Sequence, residues 1–123
     1  MKLHEELDRA SDDYESRPGF RWSETWNEEW LVVVTGEPTL RSPSGEQRLR
    51  PGDVVCFPAG PDGAHQVRND ADEPTRVLML STLRSPDVVR YVDSDKLGTR
   101  PGAREDSLNF VRPAAVGYWE GEA

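Results

Sequence analysis

Few side chains in this sequence combine the right chemistry with a setting that would hold them still. It has two histidines and one cysteine. His65 is the best placed. Pro51-Gly52-Asp53 ahead of it is a turn signal. Val54 to Phe57 then has the character of a buried strand, and Pro58, Gly60, Pro61 and Gly63 break the chain again. A second short strand follows, Ala64 to Arg68, closing at Asn69-Asp70. An imidazole is thereby set at the start of a strand, behind a rigid loop, an arrangement suited to holding it toward a barrel interior. Imidazole changes charge near neutral pH, so such a group can move protons or ligate a metal. The other two candidates read differently. His4 falls in a polar arm and is expected to be a solvated surface residue. Cys56 lies within the apolar strand and is expected to be a buried, inert thiol.

The elements that must position His65 are short strands. Phe20 to Trp26 alternates, with Trp22, Glu24 and Trp26 on one face and Arg21, Ser23 and Thr25 on the other. Asn27-Glu28 provides a turn. Glu29 to Thr35, EWLVVVT, is the strongest strand, β-branched and aromatic throughout, and it ends at Gly36-Glu37-Pro38. Alternation puts Glu28 on the solvent side. Thr39 to Arg41 and Glu46 to Arg50 form a hairpin around Ser42-Pro43-Ser44-Gly45. Arg76 to Ser81, RVLMLS, reads as the last core strand. Beyond it, Asp87 to Val92 reads as a short strand, Asp93 to Asp106 as an exposed loop, and Leu108 to Val111 recovers apolar character. Tyr118 and Trp119 in the tail are expected to dock on a surface. About eight short strands with turn signals suit a jelly roll or small barrel.

Bulk properties narrow the function. The chain's 123 residues suit one domain. Fifteen Lys and Arg against 23 Asp and Glu give a net charge of −8, which repels phosphate backbones and argues against nucleic acid as a partner. No apolar run approaches the roughly 20 residues of a membrane span. The N-terminus, MKLHEELDRA, lacks the apolar core of a signal peptide. One cysteine cannot form an internal disulfide. The expectation is a cytoplasmic protein without membrane contact.

The stretch Gly52 to Asn69 resembles the second motif of the cupin superfamily. Gly52, Pro58, Gly60, His65 and Asn69 fit its fixed positions; the loop from Pro61 to Ala64 is longer than the commonest form. That resemblance implies an all-β fold, a single cupin jelly-roll β-barrel of the RmlC-like kind. Residues 1–19 would be a short N-terminal arm, residues 20–82 the barrel core and residues 83–123 an irregular C-terminal tail packed on it. Each motif occurs once, so one barrel is expected.

The family's first motif has two histidines spaced H-x-H, three or four residues, a glutamate, six residues and a glycine. Gly36 and Glu29 fit its end. With four intervening residues, the histidine positions fall on Glu24 and Trp22. The family's metal ligands would then correspond to Glu24, Glu29 and His65. Two carboxylates and one imidazole suit a divalent ion such as Fe(II) or Mn(II), with Ni or Zn also in the family's range. Trp22 cannot ligate and would wall a substrate pocket together with Trp26. Two readings stay open. In one, a metal at these residues supports an oxygenase, isomerase or lyase step on a small organic molecule. In the other the metal is lost and the barrel binds a small molecule without turnover, or Glu24 and His65 act as a catalytic acid/base pair. The resemblance also implies a homodimer. It does not name the ligand.

Overall fold

The computed structural model describes residues 22–121, so the expected arm at 1–19, with His4, lies outside the described residues. Ten strands run in order: β1 Ser23–Thr25, β2 Glu29–Thr35, β3 Thr39–Ser42, β4 Gly45–Arg48, β5 Val54–Phe57, β6 Gln66–Arg68, β7 Arg76–Ser81, β8 Asp87–Tyr91, β9 Lys96–Arg100 and β10 Leu108–Val111. They form three antiparallel sheets in the orders β5-β2-β7, β4-β3-β6 and β1-β8-β9-β10. A bridge between Ser23 and His65 joins the last two. The two residues exchange both backbone hydrogen bonds, at 3.1 and 3.0 Å, so β6 continues into β1.

This is the all-β jelly-roll arrangement that the strand pattern suggested. Glu29–Thr35 takes the centre of its sheet because alternate residues face opposite ways. Leu31 and Val33 point inward and are fully buried. Leu31 faces Val55 on one side and Met79 on the other, while Val33 faces Val77. From the opposing sheet come Leu40 and Val67, which sit across from each other in the β3–β6 register. Leu49 and Phe57 complete the core cluster. The outward face of the same central strand is also apolar, with Trp30, Val34, Val54 and Leu80 partly exposed.

Two glycines fix the loops. Gly36 adopts a φ of +81°, and a Cβ there would overlap Thr75. Gly63 packs so closely on the carbonyl of Pro58 that no side chain fits.

Three expectations are corrected. Lys96–Arg100 is a strand, not part of an exposed loop, because it hydrogen-bonds to both β8 and β10 and fills the middle of a four-stranded sheet. Cys56 is exposed: it lies opposite Trp30 on the outward face of its sheet, so the apolar run of β5 divides between two faces instead of being buried whole. Tyr118 and Trp119 pack edge to face against each other, with centroids 4.7 Å apart, but remain 84% and 78% exposed and do not dock. Among the described residues, no helix is long and apolar enough to cross a membrane.

Candidate active site

His65 is held on three sides. Its backbone pairs with Ser23, and its ring stacks on Phe57 at 3.7 Å between centroids and 9° between planes. Its Nδ1 lies 2.8 Å from the carbonyl of Gly63. A carbonyl only accepts, so Nδ1 carries the proton and donates, leaving Nε2 as the functional nitrogen. The loop that looked long in the sequence does this work: a three-residue 3-10 turn, Pro61–Gly63, brings the Gly63 carbonyl under the ring. His65 is 5% exposed.

Nε2 of His65 faces Oε2 of Glu29 at 3.5 Å. Glu29 opens β2 and lies between Phe57 on β5 and Ser81 on β7. The approach is longer than a formed N–H···O hydrogen bond, a common state for catalytic pairs without substrate. Burial pushes the Glu29 carboxyl above its ordinary value, and the nearby charge of Asp87 pushes the same way. Burial pushes His65 down, with the bond to Gly63 working against it. The two shifts bring the proton affinities of carboxyl and imidazole closer together.

Asp87 is a neighbour that the sequence did not reveal. It opens β8, and its Oδ1 accepts hydrogen bonds from Thr25 Oγ1 at 3.4 Å and from the backbone N–H groups of Trp26 and Val88 at 3.1 and 2.9 Å. Asn27 ties this corner together. It donates to the carbonyl of Arg84 and accepts from Thr82 and from the Arg84 N–H.

The bridge to His65 also decides which residues of β1 share its face. Directly opposed residues of an antiparallel pair project to the same side, and their sequence neighbours project to the other. Ser23 opposes His65, so Ser23 and Thr25 lie on the His65 face, and Trp22 and Glu24 lie on the reverse. Contacts agree. The Arg41 guanidinium sits 3.5 Å above the Trp22 ring, and Arg41 also reaches Gln66, the sequence neighbour of His65. Glu24 pairs instead with Arg90 on β8, at 3.6 Å.

The expected ligand set is therefore not brought together. Glu29 and His65 meet; Glu24 does not join them, because strand alternation turns it to the opposite face. Among the described residues, no three of His, Cys, Asp and Glu converge as a group able to hold a metal ion, so the donors present do not fit one. The pocket residues are corrected for the same reason. Trp22 is covered by Arg41 on the far face, with its indole N–H buried and without a partner among the described residues. Trp26 is 67% exposed in the turn after β1. Leaving three residues before Glu29 instead of four places the two motif positions on Thr25 and Ser23, the residues that do face His65.

Fold and motif together define a single-barrel β protein with a carboxylate–imidazole pair at its core. Comparison with known families is direct. The Cupin domain family model matches residues 17–81, more than half of the chain, and the chain belongs to this family. No curated protein matches. Two solved structures resemble it. One is a candidate sugar phosphate isomerase from Acidithiobacillus ferrooxidans, 24% identical, with a TM-score of 0.69 over 79% of this chain and 61% of that one. The other is a sugar phosphate isomerase of the cupin superfamily from Silicibacter pomeroyi, 23% identical, with a TM-score of 0.70 over 85% of this chain and 68% of that one. The chain thus spans about three fifths of the first neighbour's length. At these identities the likeness establishes the fold.

Proposed function

We propose that this cupin binds a small polyhydroxylated carbonyl compound beside His65 and Glu29 and shifts a proton between neighbouring carbons. The observation that carries the reading is the approach of His65 Nε2 to Glu29 Oε2, with Nδ1 fixed on the Gly63 carbonyl. Neutral Nε2 takes the proton from the carbon next to the carbonyl. Protonated Glu29 gives its proton to the carbonyl oxygen, forming an enediol. The His65 imidazolium then gives its proton to the former carbonyl carbon while the Glu29 carboxylate takes the proton of the neighbouring hydroxyl, which becomes the new carbonyl and restores both groups. Shifting the carboxyl up and the imidazole down moves the two proton affinities toward each other, which suits a step that must run in both directions. Burial first, and the nearby charge of Asp87 second, favour the protonated form of Glu29 that this step uses. The names of the two structural neighbours point to the same reaction class. No step runs through a metal, since the donor set does not fit one.

The test is hydrogen exchange in D2O with a panel of aldose and ketose phosphates, read by proton NMR. Deuterium should enter the carbon next to the carbonyl of at least one compound. Glu29→Gln and His65→Asn should each slow that entry by about 100-fold or more, within the usual range for general acid–base catalysis. Binding without exchange would favour the non-catalytic alternative, a barrel that holds the molecule without turnover. Exchange that survives both substitutions would refute the assigned roles.

A further inference from the structure

The row of residues crossing the sheet from His65 leads to a second polar group. Ser23 opposes His65, Tyr91 opposes Ser23, and Lys96 opposes Tyr91. Directly opposed residues share a face, so all four project to one side. At ~4.8 Å between strands, Tyr91 lies about 10 Å from His65 along this row. Arg100 shares the face, two residues beyond Gly98 on β9.

Arg100 is fixed, and among the described residues its hydrogen-bond partners do not neutralise it. Its Nη2 donates to Tyr91 Oη at 2.9 Å and to Asn109 Oδ1 at 3.4 Å, and its Nη1 donates to the Thr99 carbonyl at 3.1 Å. These partners are all uncharged. They occupy three of the five N–H groups that a guanidinium carries. Asp87 opposes Arg100 in the register, but its Oδ1 accepts from Thr25, Trp26 and Val88. The neighbouring glycine makes the arrangement possible. Gly98 is buried, and a Cβ there would come within 2.8 Å of Arg100 Nη1 and 2.7 Å of Asn109 Oδ1. Only a residue without a side chain lets the guanidinium lie against the strand. Lys96 adds a second cation, with Nζ 5.1 Å from the centre of the Tyr91 ring.

We propose that Arg100, with Lys96 and Tyr91, holds an oxyanion, phosphate or carboxylate, carried by the molecule whose reacting end meets His65. The inference rests on the proposed function for the identity of that molecule. A planar guanidinium with N–H groups to spare matches either oxyanion in two-point contact. Arg100 joins this row through its hydrogen bond to Tyr91 Oη, so the molecule would reach from His65 across β1 to the Tyr91 side chain. The chain's net charge of −8 repels anions in general, so capture of one requires a local site of this kind.

The experiment titrates inorganic phosphate, and separately acetate, into the full chain. Arginine side-chain and backbone amide resonances are followed by NMR. Phosphate or acetate should shift Arg100 Nε and the Gly98 and Asn109 amides, and the tighter of the two ions identifies the group. Arg100→Met should weaken that binding at least tenfold. Gly98→Ala, which displaces the guanidinium while keeping its charge, should also weaken it. Arg48→Met should not, since Arg48 pairs with Glu37 away from this row. Melting curves confirm that each variant is folded. Unchanged affinity in Arg100→Met, or shifts confined to other arginines, would overturn the proposal. Its failure is separable from that of the isomerase reading. Oxyanion binding lost in Arg100→Met but without deuterium exchange would leave this site standing alone. Exchange without oxyanion binding at Arg100 would refute the subsite and leave the proton-transfer pair intact.

Discussion

Installing imidazoles on β1 tests the face assignment directly. Ser23→His with Thr25→His adds two nitrogen donors on the side where Glu29 and His65 already meet. Trp22→His with Glu24→His adds the same two donors one residue out of step, on the face that carries Arg41 and Arg90. Ser23 and His65 form a hydrogen-bonded antiparallel pair, whose Cα atoms stand about 5.5 Å apart. Three imidazoles and one carboxylate match the four ligands of a tetrahedral Zn²⁺ site. If the first variant binds Zn²⁺ one-hundredfold below the free concentration used, mass action stabilises the fold by ~2.7 kcal/mol. For a chain of this size about 1 kcal/mol moves the midpoint by ~4 °C, so a rise of roughly 10 °C is expected. Differential scanning calorimetry with and without Zn²⁺, reversed by chelator, measures it, and titration calorimetry gives the stoichiometry. The second variant should gain nothing comparable. A Zn²⁺-dependent rise in the Trp22/Glu24 variant and none in the Ser23/Thr25 variant would refute the assignment and restore Glu24 to the His65 side.

Two further perturbations address His65. Phe57→Leu removes the ring stacked on it, at an expected cost of about 2 kcal/mol from lost apolar burial and ring stacking. Water then reaches His65, and its proton affinity should rise toward the ordinary value of 6.5. The sign for stability follows. A depressed folded value means that the unfolded chain takes up the proton first, so the wild type loses stability as the pH falls from 6.5 through the folded value. That loss should shrink in Phe57→Leu. An NMR titration of the His65 ring and urea unfolding at several pH values measure both effects, and an unmoved titration would refute burial as the cause. Gly63→Ala should cost more than about 2 kcal/mol, because the loop must leave the Pro58 carbonyl. It should also release Nδ1 of His65, visible as a change in the ring's tautomer by ¹⁵N NMR. A folded variant with wild-type stability and tautomer would refute the positioning role of the loop.

Much of this molecule could be read from its residues because local and global signals agree. β2, β5 and β7 fall where their apolar runs begin and end, and the hairpin of β3 and β4 forms around Ser42 to Gly45. Glu28 is exposed, as alternation from Glu29 required. Asn69 caps the end of β6 by bonding Ala71 and Glu73. β9 was hidden because Lys96–Arg100 carries charge at both ends and a glycine in the middle, a composition that favours loops. What makes it a strand is pairing on both sides, with β8 just before it and β10 just after it, each weak alone. Gly98 belongs there because Arg100 needs its space, a fact of packing that no local pattern carries.

At β1 the family pattern admits two registers that differ by one residue, and they place opposite faces of the strand toward His65. The motif permits three or four residues between its second histidine position and the glutamate. Four leads to Glu24 and a chemically attractive carboxylate; three leads to Thr25, which offers a metal little. Chemistry favoured the wrong count. Period-two alternation makes such a slip total, since one step sends every side chain to the other face. The sequence nonetheless held a constraint. Gly60 N–H bonds the Thr25 carbonyl and His65 bonds Ser23 at its backbone, so the loop before β6 is measured against β1 at two points. A loop long enough to seat Gly63 under the imidazole fixes where β1 must sit. The four residues between Gly60 and His65 and the identities of Ser23 and Thr25 are therefore parts of one geometry. In that geometry His65 and Glu29 meet, and the β1 residues on their side are Ser23 and Thr25, whose hydroxyls are weaker metal donors than imidazoles.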